Sequence, residues 1–82
     1  MGEKFPAISS KELVKILEKN GFRFVRQSGT SHAIYKRFSD KRRVSVPIHG
    51  KTIIRRGTLR VILKGAGMTL DELKKALGRK RD

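Results

Sequence analysis

The sequence predicts an α+β fold, a two-layer sandwich in the order α-β-β-β-α with a short helical extension at its C-terminus. Three observations predict it. Apolar residues recur at helical spacing behind Ser-x-x-Glu and Thr-x-x-Glu starts near the two ends of the chain. Between them lies a block of short β-branched and aromatic runs punctuated by Gly, Ser and Asp. At 82 residues, 37% of them apolar, the chain supports one small domain, residues 1–82, with a compact core.

The first helix is expected at about Ser10–Asn20. Ser9 and Glu12 form a capping box, Leu13, Val14, Ile16 and Leu17 supply the stripe, and Asn20-Gly21 is the stop. Phe22–Gln27 reads as the first strand and about Ser31–Phe38 as the second. Ser39-Asp40-Lys41 is the turn and Arg42–Ile48 the third strand. Pro47 cannot donate to a ladder, so it belongs at an edge or a strand end. Gly57-Thr58 opens the second helix with Thr58 as its cap, Leu59, Ile62, Leu63 and Ala66 form its stripe, and Gly67 ends it. Thr69 and Glu72 then start a short last helix that stops at Gly78. Three strands joined by short turns make an antiparallel meander, and helices on both sides of it must share one sheet face. That is the layout of a double-stranded-RNA-binding domain, whose other face is left for a ligand.

Charge narrows the function. The net charge is +14, and residues 21–56 hold ten Lys/Arg against one acid, Asp40. A surplus this one-sided implies a polyanion, most simply nucleic acid. Lys36, Arg37, Arg42, Arg43, Lys51, Arg55, Arg56, Arg60 and Lys64 are the candidate phosphate contacts. No apolar run approaches a membrane span, no signal-peptide core follows Met1, and the absence of Cys excludes disulfides and fits the cytoplasm. Metal-assisted hydrolysis needs clustered carboxylates or more than two nitrogen ligands, and neither pattern is present, so no metal is expected.

His32, delivered by the turn Ser28-Gly29-Thr30-Ser31, is the candidate for proton transfer. The other histidine is His49. If Asp40-Lys41 is a two-residue turn, His32 lies opposite His49; a slip of one residue pairs His32 with Ile48. Either register suits an acid-base pair at the open end of the hairpin. His32 as a plain strand residue and His49 as a plain loop residue are the competing readings. Ser28 or Ser31 as a nucleophile lacks an acid to orient the histidine.

Three segments together resemble the HicA family of small toxin ribonucleases. They are Gly21-Phe22 through Ser28-Gly29-Thr30-Ser31-His32-Ala33-Ile34-Tyr35, then Val44-x-Val46-Pro47-x-His49, then Gly57-Thr58-Leu59-Arg60 through Ala66-Gly67. They cover about residues 10–68, leaving 69–82 as the extension. The resemblance implies cofactor-free mRNA cleavage, inhibition by a HicB-like antitoxin protein, and a catalytic histidine at the Gly-x-x-His position, here His32. A common family turn uses Asp-Gly where this chain has Asp40-Lys41, and the second polar residue often found beside the histidine is replaced by Ala33. A metal-independent endoribonuclease is therefore the expected function, with His49 as a helper; a non-catalytic RNA-binding module using the same basic face is the alternative, and a DNA-binding accessory protein comes third.

Overall fold

The computed structural model describes residues 5–29, 31–48 and 53–79. His49 and Lys51 lie outside them. The order is α1 (Ser10–Lys19), β1 (Arg23–Ser28), β2 (His32–Arg37), β3 (Arg42–Pro47), α2 (Arg56–Ala66) and α3 (Leu70–Arg79). The strands form one antiparallel sheet in the order β1-β2-β3. The expected α+β sandwich is what the chain forms.

Alternation sets the two faces of the sheet. Ala33, Tyr35, Val44 and Val46 point inward and join Leu13, Leu17, Leu59, Ile62 and Leu63 of the helices in one apolar cluster. Leu73 of α3 is fully buried in the same cluster, and Leu70, Ala76 and Leu77 pack against it. Both capping boxes form. Ser9 Oγ accepts the Glu12 N–H at 3.2 Å, and Thr69 Oγ1 accepts the Glu72 N–H at 3.1 Å. Gly78 does not stop α3, which continues to Arg79; a single glycine costs a helix only about 1 kcal/mol against alanine.

The hairpin register differs from the expectation. Arg37 pairs with Arg42 across a four-residue turn, Phe38–Lys41, and His32 faces Pro47 rather than His49 or Ile48. A two-residue type I′ turn needs positive φ at both central positions, which suits Asp-Gly and not Asp40-Lys41. The chain instead takes one left-handed residue, Lys41 at φ 61. The shift is two residues from the first expectation, so every side chain keeps its face. Pro47 fits without loss. The Ile48 N–H donates to Ser31 O at 2.6 Å, which makes His32–Pro47 a non-hydrogen-bonded pair whose absent N–H points off the edge strand.

The helix starts are held together. Ser9 bridges Ile53, and the Ile54 N–H donates to Ile8 O at 2.8 Å, so the segment entering α2 lies beside the segment entering α1. Arg55 caps α2, without a side-chain bond, and Thr58 lies in the first turn instead of at the cap.

Candidate functional site

The outer face of the sheet is built in rows. Arg23, Lys36 and Arg43 are cross-strand neighbours in one row, Arg26, Ile34 and Ser45 in the next, and Ser28, His32 and Pro47 in the last. Cations therefore lead along the face toward the histidine. Ile34, in the middle of that face, is buried among its neighbours without belonging to the core cluster. Arg26 reaches this face because of a β-bulge. Phe24 pairs with Tyr35 but Arg26 with Ile34, so Val25 is the extra residue and the alternation restarts after it. Arg23 and Arg26 share this face with Lys36 and Arg43, although they were not among the expected phosphate contacts. Arg23 was readable from Phe22 and Phe24 alternating around it; the bulge that turns Arg26 outward has no sequence signal.

His32 opens β2. Gly29, at φ 66, begins the turn that delivers it, a backbone position that glycine occupies readily. The imidazole is exposed, and its Nδ1 lies 3.5 Å from Ser31 Oγ, at the outer limit of a hydrogen bond. Behind it a groove of about 400 Å³ is lined by Ser10, His32, Pro47, Ile53, Arg55 and Thr58, among others. The starts of α1 and α2 thus meet beside the histidine. Arg56 begins α2, and Arg60 and Lys64 continue along its exposed side. Among the described residues, no three His, Cys, Asp or Glu side chains gather as a metal site, and no helix is long and apolar enough to cross a membrane.

Arg37 and Arg42 are placed elsewhere. Asp40 accepts from Arg37 at 3.0 and 2.8 Å and from Arg42 Nε at 3.1 Å. Arg37 also donates to Asn20 O at 3.1 Å and Ala66 O at 3.4 Å, and its guanidinium lies 4.7 Å from the centre of the Phe22 ring. Arg42 reaches Gly65 O at 3.4 Å. Both arginines therefore lie at the helix C-termini, at the end of the hairpin away from His32. The hydrogen bonds from Arg37, helped by the Arg42 backbone N–H, hold the Asp40 carboxyl down at about 2. Lys36 remains on the outer face, its Nζ 5.3 Å from the centre of the Phe38 ring.

A small basic α-β-β-β-α-α domain with an exposed histidine at the end of a cationic sheet face is the class of protein these features define. The family model described as the HicA toxin of bacterial toxin-antitoxin matches residues 10–68, and the chain belongs to that family. The match begins with α1 and ends just past α2. No curated protein matches the chain.

Proposed function

We propose that this protein is a metal-independent endoribonuclease that cleaves mRNA in the cytoplasm and is held in check by a HicB-like antitoxin. The observation that carries the reading is the position of His32, exposed where the cationic outer face meets a groove and the start of a helix. RNA brings its own nucleophile, so the protein needs a proton acceptor and positive charge around the phosphate.

His32 Nε2 takes the proton of a ribose 2′-OH, and the 2′-oxygen attacks the adjacent phosphorus. The P–O5′ bond breaks and the 5′-oxygen takes up a proton, with His49 the candidate donor. The products are a 2′,3′-cyclic phosphate and a 5′-hydroxyl. For Nε2 to act as a base, the neutral ring must carry its proton on Nδ1, where Ser31 Oγ is the available acceptor. Lys36, Arg43, Arg23 and Arg26 on the sheet, Arg55 at the cap of α2 and Arg56, Arg60 and Lys64 on α2 supply the phosphate contacts; Lys51 extends the set. Arg37 and Arg42 are assigned to the fold instead, because Asp40 and the helix carbonyls already hold them.

Cleavage of a labelled RNA by wild type and His32→Ala tests the reading, with circular dichroism to establish that both are folded. Loss of a general base lowers the rate by about 10²–10⁴-fold, and chelators should not slow the wild type. An intact substrate that is shifted in a gel by wild type without being shortened would hand the case to the RNA-binding module. Sheet modules of that kind stack bases on aromatic residues, whereas the described strands place none on the outer face: Tyr35 packs inward with its ring 5.8 Å from Phe24. The antitoxin should be acidic and cover the groove, so that His32 and Arg42–His49 become protected from footprinting in the complex.

A further inference from the structure

Helix α2 begins without the partners that usually satisfy a helix start. Arg55 makes no side-chain capping bond, and no acidic residue stands in the first turn. The first intrahelical bond into this turn is Leu59 N–H to Arg55 O, at 2.9 Å, so the N–H groups of Arg56, Gly57 and Thr58 precede the ladder. Among the described residues, a Cβ added at Gly57 would meet nothing within 4 Å. Helix α1 starts next to it but differs in kind. Its start is closed by the Ser9–Glu12 box, with a carboxylate already in place.

A second observation points the same way. Ser10, in the wall of the groove it shares with His32, Arg55 and Thr58, is only 4% exposed, and its hydroxyl has no hydrogen-bond partner among the described residues. Leaving a buried hydroxyl unmatched is costly, and such groups call for an explanation. A ligand with acceptor oxygens that enters the groove would supply the missing partner.

We infer that the groove between the starts of α1 and α2 is a binding site for one phosphate group of the RNA chain, held by the free N–H groups of Arg56–Thr58, the Thr58 and Ser10 hydroxyls and the Arg55 guanidinium, beside His32. Free N–H groups and the positive end of the helix dipole favour an anion in this position. The choice of RNA as the source of that phosphate rests on the function proposed above. The site makes Thr58 and Ser10 positioning residues: they fix where the phosphate sits relative to His32, and they move no proton.

Inorganic phosphate, and then a short 2′-O-methylated RNA that cannot be cleaved, are the probes, with amide shifts of the labelled full chain as the readout. Phosphate should saturate shifts at Arg56, Gly57 and Thr58, and the RNA should move the same amides and displace it. Thr58→Asp places a carboxylate in the site, where helix starts accept one, so the fold survives; it should weaken phosphate binding by about 10-fold or more, as expected for a unit charge brought close to the anion. Thr69→Asp makes the same charge change at the start of α3 and should bind as wild type does. Ser10→Ala should weaken binding several-fold with no loss of melting temperature. Wild-type affinity in Thr58→Asp or in Ser10→Ala overturns the site, as do shifts scattered over all basic surfaces or a response to phosphate that the RNA does not share. Binding here is measured without cleavage. A wild type that fills the site and never cuts RNA would defeat the proposed chemistry and leave the site standing.

Discussion

The two ends of the β2–β3 hairpin receive the same two helices and use them in opposite ways. At the turn end, α1 and α2 present their C-terminal carbonyls, and Arg37 and Arg42 bind them while Asp40 holds both guanidinium groups. Cations at the negative ends of helices are stabilising, and here both guanidinium groups are engaged by the fold. At the open end, α1 and α2 present their N-termini beside His32, and α2 carries arginine and no carboxylate in its first turn. A basic residue in this protein is therefore not assignable to RNA from its charge alone. Under the proposed function, the helix end that a basic residue faces decides whether it serves the fold or the RNA.

Substitutions at the turn end should damage stability and spare RNA. The largest loss is expected from Arg37→Ala, which removes bonds to Asp40, Asn20 and Ala66 and the contact with Phe22. Roughly 2 kcal/mol is reasonable for several charged hydrogen bonds on a partly exposed side chain, which for a domain of this size lowers the melting temperature by about 8–16 °C. Gly67→Ala comes next. Gly67 ends α2 at φ 68, and a Cβ there would stand 2.7 Å from the Arg42 guanidinium. The left-handed backbone alone costs a non-glycine residue about 1–2 kcal/mol, measurable by urea unfolding.

Asp40 adds a pH signature to the same end. Its folded pKa, about 2, lies below its ordinary value of 3.8. A depressed carboxyl binds protons more readily in the unfolded chain, so its contribution is present above about pH 4 and disappears as pH falls toward 2. The wild type should lose more stability across that window than Asp40→Asn, and parallel acid titrations of the two would remove the assignment. The smallest effect belongs to the outer face. Arg26→Ala should leave the unfolding free energy within about 0.5 kcal/mol of wild type and reduce the salt dependence of RNA binding by about one phosphate contact. Arg37→Ala should leave that slope unchanged.

Much of the architecture was legible in the chain. Ser9-x-x-Glu12 and Thr69-x-x-Glu72 form the capping boxes that their spacing announces, and Val44 and Val46 point inward as alternation requires. The His32 turn was visible as a Ser/Gly/Thr break before a strand. What could not be read depended on backbone geometry set by tertiary contacts. Lys41 takes a left-handed conformation that two-residue turn rules do not foresee, which moves His32 opposite Pro47. The bulge at Val25 brings Arg26 to the outer face. The pairing of Ile53 with Ser9 carries the start of α2 to the histidine and makes Arg55 rather than Thr58 its cap. The bonds that hold Arg37 and Arg42 could not be read either, because nothing in a sequence shows that two helix ends converge on one aspartate.

The division between the two ends is tested most directly by the rate at which His32→Ala and Arg37→Ala cleave one labelled RNA, compared at a temperature where both are folded. The account predicts that His32→Ala is slower than wild type by at least about 10²-fold while keeping its melting temperature, and that Arg37→Ala cleaves at the wild-type rate despite its lower melting temperature. Cleavage by His32→Ala at the wild-type rate, or a comparable collapse of the rate in folded Arg37→Ala, would contradict it.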